Sequence, residues 1–393
     1  MAFNTETMVI NMGPQHPSTH GVLQLILELD GEVVQKATPH IGFLHRGTEK
    51  LSEYRTYHQI IPLTDRLDYL APMSNNLGYV LAVEKLLGIT DKIPERAKVV
   101  RVLMNELTRL KSHLVWMACH ALDIGAMTVF LYCFREREDI TDIYEKVSGA
   151  RMTSNYFRVG GLSADLPEGL EQDIRAFAES MPGHIETYEG LLTGNRIWQK
   201  RTIGVGHISA EAAIDIGITG PALRASGVDW DLRRDNPYSG YEDYDFEVPV
   251  FEEGDTFARY KARLDEMRQA SLIILQALDK LKPGPILADC PKVVLPPKQD
   301  VVESIEGLIH HFKIVSEGFS PEPGEVYQGV EAPKGELGFY LVSDGSPKPL
   351  RMKVRPPSFV NLQGLPQMVE GKLLADVVAV IGTLDIVLGE IDR

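Results

Sequence analysis

Thiols are scarce in this chain. Its 393 residues include three cysteines, Cys119, Cys133 and Cys290, far apart and never as CxxC. That excludes a disulfide framework and a cysteine-ligated zinc or iron-sulfur site, and suggests three buried thiols in a reducing compartment. Long apolar runs are missing too. The best candidate, 373-LLADVVAVIGTLDIVL-388, carries Asp376 and Asp385, so no membrane span is expected. The start, MAFNTETMVI, has no basic region leading into an apolar one, so no signal peptide is expected. The chain reads as soluble, yet able to sit on a membrane protein. Basic charge is the minority: 40 Lys and Arg against 55 Asp and Glu give a net charge of -15, which argues against a nucleic-acid partner. Gly204-Val205-Gly206 is too short for a dinucleotide fingerprint, and neither Walker spacing nor a G-x-S-x-G elbow occurs. His310 and His311 are adjacent and would point apart on a helix, which makes poor metal ligands.

What is present begins with two polar loops, 11-NMGPQHPSTHG-21 and 39-PHIGFLHRGTEK-50. Between them 22-VLQLILEL-29 alternates, with Leu23, Leu25, Leu27 and Leu29 on one face, which predicts a half-covered strand. Asp30-Gly31 predicts a hairpin turn and 32-EVVQKA-37 the return strand. Both loops flank that hairpin, so they can approach one end of it. Further on, Leu103, Leu107, Leu110, Leu114, Met117 and Ala121 form a helical stripe over 95–122, and 256–281 repeats the pattern until Pro283. Shorter helices are expected at 49–61, 75–88, 136–147 and 170–190, a proline-rich ordered connector over 283–300, and strands over 325–355. The expected fold class is α+β: a β-rich region with the loops (1–70), a helical bundle core (71–282) and a C-terminal α/β region packed on it (283–393), as one interwoven unit.

Several residues could carry chemistry. His20, in a turn just before the strand, can both donate and accept a hydrogen bond, and titrates near neutral pH; capping of backbone groups is the plainer role. The Tyr69 phenol could bind a carbonyl ligand, or simply fill the core. Glu106, His113 and His120 share a helix face, with Asp123 following, so a proton-handling His-Asp pair competes with helix bridging. Arg46 could compensate an anion or a metal cluster held by another chain, or form a surface ion pair.

GPQHPSTHG at 13–21, PHIGFLHRGTEK at 39–50, RTYHQ at 55–59 and RLDYL at 66–70 resemble the D-subunit, or 49-kDa-subunit, family of proton-translocating NADH-quinone oxidoreductase, respiratory complex I. The resemblance continues in order through LMNELTRLKSHL at 103–114, CFRERED at 133–139, SGARM at 148–152, GPALRASGVDWDLRR at 220–234, PYSGYE at 237–242, GELGFYLVSDG at 335–345 and PPSFVNLQGL at 356–365. The family is similar to the large subunit of nickel-iron hydrogenases, whose metal-binding cysteine pairs would fall near 45–49 and 384–389; no cysteine stands at either place here. The resemblance implies a component of a membrane-bound NADH:quinone oxidoreductase, inactive alone, on the cytoplasmic side of the bacterial inner membrane. Its expected partners are the B and C subunits of the same complex and the quinone-channel H subunit of the membrane arm; no metal is expected on this chain. The B subunit would carry the terminal 4Fe-4S cluster and share the quinone site. His20 and Tyr69 would bind the quinone headgroup, Asp123 would partner the histidine, and Arg46 would lie near the cluster. Many members carry a histidine near the cluster where this chain has Thr153, so a cluster potential less dependent on pH is expected. The alternatives are the equivalent subunit of a complex fed by another electron donor, or a structural scaffold of a hydrogenase-like complex.

Overall fold

A computed structural model describes residues 7–393. The alternating leucines behave as their pattern requires. Gln24–Asp30 is a strand, and Leu23, Leu25, Leu27 and Leu29 are all but inaccessible to solvent. It pairs antiparallel with Val33–His40. The Asp30↔Val33 register puts the turn at Gly31-Glu32, with Gly31 at φ +62°. A third strand, Met8–Met12, pairs along the other edge. Its side chains are largely exposed except Met12, which is why no periodicity announces it.

The helical core is built around Glu95–Asp123 and Thr256–Lys280, which pack on each other and on Met127–Ser148 and Leu170–Leu192. The expected stripe on the first of these is fully buried. So are Arg101, Glu106, Arg109 and His113, because this helix is surrounded on every side. Each charge finds a partner: Arg101 with Glu84, Arg109 with Glu106, and His113 with Glu266. The single helix expected over 49–61 is two, Thr48–Ser52 and Tyr57–Thr64. The break falls where Thr56 and Gln59 form a capping box that starts a new helix.

The C-terminal strands Gly324–Ala332, Gly335–Ser343 and Arg351–Arg355 form an antiparallel sheet. The two-residue tip of its first hairpin, Pro333-Lys334, is driven into the interior, with Lys334 almost fully buried. A second hydrophobic cluster joins the leucines of the N-terminal sheet to Val377, Val380, Ile381, Leu384, Leu388 and Ile391. The two ends of the described chain therefore meet, and this meeting positions the site. The architecture is the expected α+β one. Among the described residues no helix is long and apolar enough to cross a membrane.

Candidate functional site

His20 closes a short turn. Pro17–Thr19 form one 3-10 turn; Ser18 N–H donates to His16 Nδ1 at 3.2 Å and Thr19 Oγ1 donates to His16 O at 2.9 Å. These bonds leave His20 at φ +51°, a left-handed conformation uncommon for a residue with a Cβ. The ring is aimed at the end of the long helix, where Asp123 is the last residue. Nε2 lies 3.5 Å from Asp123 Oδ2, and both side chains keep slight exposure, 15% and 13%. Nε2 is itself shut off from solvent and makes no hydrogen bond among the described residues.

The His-Asp pair is thus His20–Asp123, and His120 has no part in it. His120 is stacked on Trp116 and set edge-on to Trp198. Burial, with the charges of Arg263, His20 and Arg259, pushes its pKa down to about 3, so it is neutral at physiological pH. His113 bonds Glu266 at 2.8 Å deep in the bundle. Glu106 takes Arg109, Arg233 and the Tyr241 hydroxyl.

Tyr69 lies on the turn between the helices Tyr57–Thr64 and Pro72–Leu87. Asp68 shapes that turn: its Oδ1 accepts from Leu70 N at 3.0 Å and its carbonyl from Asn75 Nδ2 at 2.8 Å. Tyr69 is 36% exposed. Burial first, then the neighbouring Asp68 carboxylate, raises its pKa above the ordinary tyrosine value, so it keeps its proton.

The C-terminal helix Leu388–Asp392 ties these parts together. A Cβ on Gly389 would stand 2.7 Å from Leu67 O, 3.0 Å from Arg66 O and 3.4 Å from the Tyr69 ring, so only glycine allows this approach. Leu388 lies against Gly21, next to His20. Arg46 donates to Gly389 O at 3.3 Å and to Arg66 O. Its guanidinium is partly exposed. Burial and the nearby Arg66 lower its pKa from the ordinary value, yet arginine stays charged. The segments at 45–49 and 384–389 therefore lie side by side.

Beneath Tyr69 is a group of charges that sequence reasoning did not assign. Lys334 Nζ lies 3.0 Å from Asp68 Oδ2, 3.4 Å from Asp385 Oδ2 and 2.9 Å from Ser112 Oγ. Burial opposes its charge, but Asp385, Asp68 and Glu390 outweigh that and hold its pKa above the usual lysine value. Asp385, like His20, is left-handed, at φ +54°. Cys119 faces both carboxylate groups; burial, Asp123 and Asp385 push its thiol up to about 11. The structure thus brings His20, Asp123, Tyr69 and Arg46 around one short helix, over a buried lysine. Among the described residues no group of three or more His, Cys, Asp or Glu side chains could hold a metal.

The model of the family described as "Respiratory-chain NADH dehydrogenase, 49 Kd subunit" matches residues 123–393. The D subunit of NADH-quinone oxidoreductase from Geotalea uraniireducens (strain Rf4) is 76% identical over 390 residues, which is 99% of this chain and all of that protein. The D subunit from Geobacter sulfurreducens is 74% identical over the same shares. The D subunit numbered 2 from Chloroflexus aurantiacus is 56% identical over 396 aligned residues, 100% of this chain and 96% of its own. The fold and these matches define a component of a respiratory-chain dehydrogenase. The chain belongs to the 49-kDa subunit family of respiratory-chain NADH dehydrogenase.

Proposed function

We propose that this chain forms, together with a partner protein carrying a 4Fe-4S cluster, the site at which NADH:quinone oxidoreductase reduces quinone. The observation that carries the reading is the convergence of His20, paired with Asp123 at 3.5 Å, and Tyr69 on either side of Leu388-Gly389. Reduction of a quinone adds two electrons and two protons, and negative charge develops on two oxygens at opposite ends of the ring. A donor aimed at each oxygen stabilises that charge. His20, whose Nε2 faces Asp123, serves one oxygen through its other ring nitrogen, Nδ1; the Tyr69 hydroxyl, held protonated, serves the other.

Each donor needs support when its proton leaves. Asp123, 3.5 Å from His20 Nε2, sets the ring orientation. Lys334, charged and buried below the Asp68-Tyr69 turn, offsets the charge left on the phenol. Arg46, exposed on the same side, faces the partner. A cluster held by the partner would supply electrons one at a time, and the Arg46 charge would stabilise its more negative form.

The test is Asp123→Asn in the assembled complex. General acid support of this kind is worth about 10²- to 10⁴-fold. NADH-to-quinone transfer should fall within that range while transfer to an artificial acceptor upstream is unchanged. An unchanged quinone rate would remove the His20–Asp123 pair from proton delivery.

A further inference from the structure

The loop that carries Arg46 is held by one carboxylate from the far end of the chain. Asp392 Oδ1 accepts the Gly42 N–H at 2.9 Å, and its Oδ2 accepts the Leu44 N–H at 2.6 Å. His45 Nδ1 lies 2.7 Å from the Asp392 carbonyl oxygen. The loop thus wraps successive donors around an anion, an arrangement in which backbone N–H groups form a binding concavity. Asp392 is largely buried, so these bonds are shielded from competing water. Its neighbour Arg393 closes the rim, 3.4 Å from Glu49 and 4.6 Å from the Phe359 ring centroid.

No backbone ladder fixes this loop, although Ile41 and Leu44 pack against the second hydrophobic cluster. Residues 41–47 belong to no helix or strand, and Phe43 is half exposed. His45 N–H donates to Gly42 O at 3.1 Å, a bond inside the loop that does not anchor it. Beyond the loop, Thr48–Ser52 begins the next helix, where Glu49 accepts from Val354 N at 3.0 Å. Arg46 then reaches back over the same C-terminal helix, to Gly389 O. Asp392 and Gly389 are one helical turn apart, so the helix grips the loop at one end and receives its arginine at the other.

We infer that Asp392 is a positioning residue for quinone reduction: its carboxylate sets the loop conformation that aims Arg46 at the partner's cluster. The inference rests on the reading of Arg46 given above, and the experiment separates the two. Complexes carrying Asp392→Asn, Arg46→Ala and both are compared by NADH-to-quinone rate and by the midpoint potential of the partner's cluster. An asparagine amide can accept one of the two N–H bonds and presents a donor to the other.

D392N should lower the quinone rate about fivefold or more, from loss of charge-assisted bonds, and should move the potential in the same direction as R46A. In the R46A background D392N should change neither quantity further. Additive losses would show that Asp392 acts elsewhere and overturn the inference. A wild-type rate and potential in D392N beside altered values in R46A would also overturn it, and leave the reading of Arg46 standing. Wild-type values in R46A would overturn that reading and the inference with it. If D392N does not assemble, the same cycle is run with Asp392→Glu. Its longer side chain keeps the charge but cannot hold both amides, so a smaller loss that vanishes in R46A is expected; no loss, or an additive one, contradicts the inference.

Discussion

Lys334 Nζ lies 3.0 Å from Asp68 Oδ2, both side chains almost entirely out of solvent, and Asp68 in turn shapes the backbone that presents Tyr69. The contact joins the tip of the C-terminal hairpin to the turn after the Tyr57–Thr64 helix. Removing one partner of such a pair leaves the other as an uncompensated buried charge, at a cost of about 3–5 kcal/mol. Lys334→Met strands both Asp68 and Asp385. The expected outcome is a complex that assembles poorly or melts early, measured by subunit content and thermal unfolding. Asp123→Asn breaks a pair that retains solvent contact, and should leave the melting temperature within about a degree or two.

Glu390 gives the stability a pH dependence. Burial first, then the charge of Asp68, raises its carboxyl from 4.5 to about 8, against Lys334 and the bonds from Ser358. The folded state keeps this proton up to about pH 8, whereas the unfolded chain loses it near 4.5. Across that window the folded state binds more protons. The stabilising contribution is therefore complete below about pH 4.5 and declines as pH rises toward about 8. Glu390→Gln should flatten the decline: its unfolding temperature should match wild type near pH 5 and exceed it near pH 8. A wild-type slope in the variant would contradict the assignment.

Gly389 should be irreplaceable for geometric reasons. An alanine Cβ would meet Leu67 O at 2.7 Å, which is backbone and cannot rotate away. Overpacking of this kind costs about 1–3 kcal/mol, and the strain falls on the turn bearing Tyr69. Gly389→Ala should assemble, with reduced stability, and lose quinone reduction by a larger factor than transfer to an artificial acceptor. Equal losses in both would mean that the contact serves assembly alone.

The loop at 151–156 bears on the cluster proposed for the partner. Thr153 cannot titrate near neutral pH. Asp65 holds this loop, its Oδ2 accepting the Asn155 N–H at 3.0 Å, and burial pushes its pKa up to about 7. The midpoint potential of the cluster should change between pH 6 and 8 by well under the ideal value of about 59 mV per unit for one proton per electron. Asp65→Asn should remove what slope remains. A full slope in the wild type would contradict the prediction.

The strands and long helices were legible because their periodicities record burial directly: Leu23 to Leu29 by twos, Leu103 to Ala121 by threes and fours. His20, Tyr69, Asp123 and Arg46 stood out through motif resemblance, and periodicity alone did not separate His20 from a capping histidine. The His20–Asp123 contact was expected from the resemblance alone; periodicity could not give it, because it joins a loop to the end of a helix about a hundred residues later. Adjacency on the helix offered only His120, which is turned into the core against Trp116. Lys334 carried no signal, since a hairpin tip is ordinarily a surface feature. Asp385 did carry one: an acid inside an apolar run implies a buried partner, though not which. Asp392 was invisible, because its ligands are backbone N–H groups that any sequence supplies.

The most direct measurement compares membranes carrying His20→Ala with wild type, using NADH-to-quinone transfer and NADH-to-artificial-acceptor transfer side by side, with the amount of assembled complex determined in each. Loss of quinone reduction with the artificial-acceptor rate and assembly intact is the predicted result, and places His20 at the quinone step. Undiminished quinone reduction in a fully assembled complex would contradict the account and leave His20 as a turn residue.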